Sequence, residues 1–131
     1  MSEPEAYGDA FNQEYWRAAT RRQLTVQYCT RCDHYQFYGR PFCLRCESDV
    51  EWVQVQGTGT VYSMTTVRRQ LLPEPPVPYM VAVVELDEGP RMLTNIEGEG
   101  VRIGDRVQVA WRDRGEAPPL PIFVAIGRVD E

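Results

Sequence analysis

Lysine is absent from the 131 residues, histidine occurs once, as His34, and cysteine is confined to four positions between 29 and 46. Without lysine no Schiff-base chemistry is open to the chain, and all 14 basic residues are arginine. A single histidine limits any nucleophile–base–orienter set, and no G-x-S-x-G elbow is present. Long apolar runs are also missing: no stretch approaches the roughly 20 residues needed to span a bilayer. The opening Met-Ser-Glu-Pro-Glu-Ala-Tyr is acidic and lacks the apolar centre of a secretory signal. A reducing, cytoplasmic setting is therefore expected, and the length fits one domain or two very small ones.

Charge is scarce in one sign over most of the chain. The net value is −5, but residues 17–46 carry six arginines against Asp33 alone. Residues 47–131 carry eight arginines and fourteen acids. Phosphate neutralisation dominates nucleic-acid affinity, so an acidic chain with one basic segment makes a poor general nucleic-acid binder. A local phosphate site is compatible with the basic segment. Phosphate loops are not evident, because Gly57-x-Gly59 and Gly98-Glu99-Gly100 lack the strand–helix context. Glu85, Asp87 and Glu88 read as a solvated turn rather than a glycosidase pair. No catalytic residue is assigned.

What is present is strongest at the cysteines. Cys29, Cys32, Cys43 and Cys46 read Cys-x2-Cys-x10-Cys-x2-Cys. Two thiolates three positions apart converge on one ion from a tight turn, and two such turns complete a tetrahedral S4 shell. One structural zinc per chain is the favoured reading, with a rubredoxin-like iron site and a redox dithiol as alternatives. His34 reads as a loop residue, because four sulfurs already suffice. Thr25-Val26-Gln27-Tyr28 enters the first turn as a short strand and Tyr35-Gln36-Phe37-Tyr38 leaves it. Gly39-Arg40-Pro41 then turns the chain, as in a zinc ribbon. So short a module buries little apolar area, so metal binding should supply most of its folding free energy.

Residues 9–22 read as a helix with Asp9 as N-cap and an apolar stripe through Phe11, Tyr15, Ala18 and Ala19. With so little core nearby, the aromatic stripe of Phe11, Tyr15 and Trp16 is read as a surface for another protein. From residue 51 the pattern turns to strands: 51–66, bent at Gly57-Thr58-Gly59, then 79–86, 91–96, 106–111 and 122–129. Five coiled strands without a helix suggest a small Greek-key barrel of the OB type, with an SH3-like barrel or sandwich as competitor. Prolines 73, 75, 76 and 78 fall between the first two strands, and 118, 119 and 121 between the last two. Stiff loops of this kind hold one bound shape at low entropic cost. Pro75, Pro76 and Pro78 therefore join the partner-binding set. The expected organisation is mainly β: an N-terminal segment and helix over 1–24, a rubredoxin-like zinc ribbon over 25–50, and a five-stranded OB-fold barrel over 51–131.

In this order the residues resemble the acyl-CoA-associated OB-fold proteins with an N-terminal zinc ribbon, formerly a domain of unknown function. The resemblance runs over residues 10–128. It rests on Phe11 and Trp16, on Gln27-Tyr28-Cys29-Thr30-Arg31-Cys32, and on Arg40-Pro41-Phe42-Cys43-Leu44-Arg45-Cys46. Gly57-Thr58-Gly59-Thr60-Val61-Tyr62-Ser63, Pro78-Tyr79-Met80-Val81-Ala82 and Val101-Arg102-Ile103-Gly104-Asp105-Arg106-Val107 complete the set. Asp33 and Glu47 stand where the family usually has glycine, a departure that predicts strained turns. The resemblance implies a non-catalytic accessory subunit or domain that supports a thiolase-fold acyl-CoA enzyme within a hetero-oligomer. Among such assemblies, the aldolase (lyase) complexes of steroid side-chain degradation look closest, with retro-aldol cleavage of a CoA thioester by the partner. Related domains also occur fused to a hot-dog-fold hydratase subunit. Two further readings stay open: an acyl-CoA-binding module using Arg17, Arg21, Arg22 and Arg40, and a nucleic-acid-binding ribbon–barrel module.

Overall fold

The computed structural model describes residues 11–70, 73 and 76–126. Over these the element order is α1 (Gln13–Thr20), β1 (Thr25–Cys29), β2 (His34–Gln36), β3 (Glu51–Gln54) and β4 (Thr58–Val67). There follow β5 (Tyr79–Leu86), β6 (Arg91–Glu97), β7 (Arg106–Arg114) and β8 (Ala117–Ala125). The described residues divide into two compact units: the first holds those up to Gln56 together with Trp111–Leu120, the second Gly57–Ala110 and those from Pro121. Strands β7 and β8 each run from one unit into the other. No described helix is long and apolar enough to cross a membrane.

The first unit is a three-stranded antiparallel sheet in the order β2-β1-β3, accompanied by α1. Strand β1 is its centre, pairing Cys29 with His34 on one side and Val26 with Val53 on the other. Helix α1 is shorter than the expected 9–22. Asp9 lies outside the described residues, and Asn12 occupies the N-cap without a side-chain cap bond. Its Oδ1 instead accepts from the Gly39 amide at 3.0 Å, because the loop after β2 reaches it. At the other end Arg22 takes a φ of 57°, the left-handed turn that closes a helix. Tyr15, Ala18 and Ala19 are buried, the i, i+3, i+4 positions of one helical face.

The second unit is a closed barrel in the order β4-β5-β6-β8-β7. The expected single strand over 51–66 is in fact two, one in each unit. Gly57 makes the break: its φ is 82°, and a Cβ there would lie 2.4 Å from Val109 Cγ1. Strand β4 is bulged between Val61 and Ser63, which lets one long strand coil around the barrel. Closure comes from the Thr58–Gln108, Gly59–Val107 and Thr60–Arg106 pairs of β4 and β7. Val61, Val84, Leu86, Val107 and Phe123 fill the interior with almost no exposure. Each such side chain contributes about 1.5–3 kcal/mol of transfer free energy.

The last strand also departs from expectation. It covers Ala117–Ala125 rather than 122–129, so Pro118, Pro119 and Pro121 lie within β8 and not in a loop. The parallel pairing of β8 with β6 begins only at Phe123, beyond the prolines, so no amide is missed there. The rings of Pro119 and Pro121 are buried. Apolar filling, rather than loop stiffness, is their local role.

One ion pair fastens an end of the barrel. Arg106, at the start of β7, meets both oxygens of Asp87 at 2.6 and 2.7 Å. Thr58, at the start of β4, donates to Asp87 Oδ2 at 2.6 Å. The Arg106 guanidinium and then the Thr58 hydroxyl hold the Asp87 carboxyl at about 2, below its ordinary 3.8. A depressed carboxylate stabilises the fold above its unfolded value and ceases to do so as pH falls through the folded one. Solvent screening at this half-exposed site leaves roughly 0.5–1 kcal/mol. Asp87→Asn should therefore lower the urea midpoint by a constant amount between about pH 5 and 8, and the gap should narrow from about pH 4 downward and close near pH 2. A gap that widens on acidification would contradict the assignment.

Candidate metal centre

Two tight turns hold the cysteines. The first follows β1, with Cys29 as its last residue and Cys32 just before β2; the second lies at 43–46. The Sγ atoms of Cys29 and Cys46 are 3.5 Å apart and those of Cys32 and Cys43 3.6 Å. All four lie within 4.8 Å of one another. A Zn–S bond of about 2.3 Å implies S–S edges of about 3.8 Å in a regular tetrahedron, so the donor set fits the ion. The chain binds one zinc through these four sulfurs. Every position is a thiolate and none is left for water, so the ion is structural. His34 is not part of the group; it sits in β2, paired across the strands with Cys29.

The turns also set the sulfurs' acidity. Hydrogen bonds from the Ser48 hydroxyl and amide draw the Cys46 thiol down to about 6. Burial, reinforced by hydrogen bonds to the other sulfurs, pushes Cys32 up to about 12. Four thiols this close cannot all ionise without a cation among them, so metal binding releases their protons.

The expected strain after each turn is present. Asp33 has a φ of 54° and Glu47 one of 63°. At Asp33 the side chain offers compensation: its Oδ1 accepts from the Tyr28 hydroxyl at 2.6 Å. That bond is the first reason the Tyr28 phenol is raised to about 12. Glu47 is exposed, and its amide donates to the Cys43 carbonyl at 2.8 Å.

Sequence reasoning missed the polar pair behind the second turn. Gln27 and Gln36 are 3% and 5% exposed, deep for amides. Gln36 Nε2 donates to Gln27 Oε1 at 2.8 Å and to the Phe42 carbonyl at 3.2 Å. Gln27 Oε1 also accepts from the Arg40 amide, and its Nε2 donates to the Arg40 carbonyl, both at 2.9 Å. Gln36 Oε1 accepts from the Leu44 amide at 3.0 Å. Glutamines facing inward across paired strands were the available signal, since a buried amide needs such partners.

The other expected site residues are scattered. Tyr15 is 4% exposed, its ring 5.2 Å from Phe37 and 6.1 Å from Trp52. It belongs to the unit's own core and is not an outward docking residue, because the sheet supplies the apolar cover the sequence seemed to lack. Trp16 is half-buried, with the Arg114 guanidinium 5.3 Å from its ring centroid. Phe11 is exposed, as are Pro76 and Pro78, while Pro75 lies outside the described residues. Of the arginines, Arg17 pairs with Glu14 and Arg22 with Asp113. Arg21 and Arg40 are exposed. No described contact draws these four into one cradle.

Two outcomes test the centre. Metal analysis should return one zinc per chain, and chelation should abolish the near-ultraviolet signal of the Tyr15–Trp16–Phe37–Trp52 cluster while amides within 57–110 keep their exchange protection. Loss of protection throughout would place the metal's stabilisation elsewhere. Glu47→Gly should raise stability by up to about 1 kcal/mol in the metal-loaded protein, because glycine adopts the left-handed turn without strain. A lower melting temperature would refute that reading.

Two family models match the chain: "ChsH2, rubredoxin-like zinc ribbon domain" over residues 16–52 and "ChsH2, C-terminal OB-fold domain" over residues 52–112. A "Probable enoyl-CoA hydratase alpha subunit" of Thermomonospora curvata is 35% identical over 86% of this chain, which spans 36% of that longer protein. A "DUF35 domain-containing scaffold protein" of Methanothermobacter thermautotrophicus is 30% identical, with 74% of this chain and 78% of that one covered. Among solved structures, a chain of an "Ltp2-ChsH2(DUF35) aldolase" superposes with a TM-score of 0.83 at 34% identity, over 94% of this chain and 98% of that one. With its rubredoxin-like zinc ribbon followed by an OB-fold barrel, this chain belongs to the DUF35 family.

Proposed function

We propose that the chain is a non-catalytic accessory subunit or domain that binds and supports an acyl-CoA enzyme. The observation that carries this is the likeness to the DUF35 chain of an aldolase assembly, 34% identical and covered over 98% of its length. The partner we infer is a thiolase-fold aldolase that cleaves a CoA thioester by a retro-aldol step, in the manner of steroid side-chain degradation. The relative named as a hydratase subunit and the one named as a scaffold protein point the same way, toward work done beside another enzyme.

The chemistry of the chain supports a supporting role. Its four thiols serve a closed metal shell, and it has no lysine and one histidine. With the arginines scattered, the acyl-CoA-binding reading draws no single observation to itself.

Co-expression with the thiolase-fold enzyme that copurifies should yield a stable complex. Partner turnover should fall at least about tenfold when this chain is left out, while the chain alone turns over nothing. Full turnover by the partner alone, or thioester cleavage by this chain alone, would sink the proposal.

A further inference from the structure

The buried glutamine pair invites a question the metal alone does not answer: what is being held so firmly? Its partners are all backbone atoms of one loop, residues 38–45. The amide and carbonyl of Arg40, the carbonyl of Phe42 and the amide of Leu44 are each fixed by a Gln27 or Gln36 side chain. Cys43 adds a fifth anchor, its amide donating to the Ser48 carbonyl at 2.8 Å. The loop is thus pinned from within at four of its eight residues.

Its side chains do the opposite. Tyr38 is 45% exposed, Phe42 42% and Leu44 60%, large apolar groups left in water by a rigid backbone. Phe11 adjoins them: its carbonyl would lie 2.4 Å from a Cβ at Gly39, and its own ring is exposed. Arg40 and Arg45 are exposed among these residues, and no acid occurs between Asp33 and Glu47. Apolar area that stays wet while its backbone is immobilised marks a contact surface, and preorganisation lowers the entropic cost of using it. Aromatic and arginine side chains are the types that carry binding energy at such surfaces.

We propose that loop 38–45, with Phe11 beside it, is the surface through which this chain grips its enzyme partner. The matching surface on that partner is an apolar depression rimmed by carboxylates. The inference rests on the accessory-subunit reading above and adds which face is used and what charge it meets. A second exposed apolar patch among the described residues, on the outer face of the barrel, is less suited. There the Arg91 guanidinium already covers the Tyr62 ring at 3.8 Å and reaches Glu85 at 3.5 Å, so its charge is satisfied within the chain.

The test uses the full zinc-loaded chain and the copurifying enzyme, with affinity measured by calorimetry or biolayer interferometry over a salt series. Phe42→Asp and Leu44→Asp should each weaken binding at least about tenfold, with one zinc per chain and an unchanged circular dichroism spectrum. The double variant Arg40→Gln, Arg45→Gln should slow association and remove most of the salt dependence, and an undiminished salt dependence would overturn the carboxylate rim. Leu93→Asp, on the barrel's outer face, should bind as the wild type does. If the wild type binds and the zinc-loaded loop variants bind equally well, the loop assignment is overturned and the accessory role stands. If the loop variants instead abolish a homodimer and leave the enzyme complex intact, the occupant is a second copy and the assignment is again overturned. Failure of the wild type to bind any enzyme would defeat the accessory reading, and this inference with it.

Discussion

Everything in the first unit depends on four sulfurs meeting at one point. The sheet there has three short strands, and its central strand ends on a ligand, Cys29. Ten residues separate the two Cys-x2-Cys turns, and nothing in their apolar content would close that loop unaided. A shared cation closes it, and the free energy of doing so in zinc-finger peptides is on the order of 10 kcal/mol. That surplus lets two non-glycine residues sit in left-handed conformations, each costing roughly 1–3 kcal/mol. It also lets two amides be taken out of water, provided every polar atom finds a partner.

The metal and the glutamines divide the labour. The cation fixes where the two turns stand relative to each other, but it touches only sulfur and says little about the residues between. Gln27 and Gln36 set the path of that intervening chain by bonding to its backbone. An apolar pair in their place would leave Arg40 and Leu44 with unmet amides, a cost of about 1–3 kcal/mol for each orphaned group. The loop's outward side chains can then vary without disturbing its shape.

Much of this was legible in the sequence, for identifiable reasons. Cysteine spacing carries its own geometry, so the metal site needed no tertiary information. Strand-like runs over 79–86, 91–96 and 106–111 marked β5 to β7, because β-branched and apolar residues fit a pleated, half-buried surface. The departure from glycine at 33 and 47 foretold strained turns, and the strain takes the form of left-handed conformations at both residues. The failures share a cause. Residues 51–66 looked continuous because both parts are strand-like; only pairing, of β3 with β1 and of β4 with β5 and β7, assigns them to different sheets. Proline argued against a strand at 118–121, yet pairing with β6 starts later, a matter of register that local composition does not encode. Tyr15 looked outward because its cover, Phe37 and Trp52, comes from segments 22 and 37 residues away. Gln27 and Gln36 escaped for the same reason: a polar residue declares itself buried only once its partners are known.

The division of the chain into units carries a consequence for anyone who would cut it. The stretch Trp111–Leu120 lies between two barrel segments in sequence but groups with the ribbon, where Asp113 meets Arg22 and Arg114 lies beside Trp16. Scission after Gln56 would therefore release no intact piece. The amino-terminal fragment would forfeit a ten-residue share of its packing, and the remainder would carry a hairpin tip stripped of its neighbours. Though read in order as ribbon and then barrel, the polypeptide is stitched twice, and shuffling its halves between relatives would mean exchanging both stitches at once.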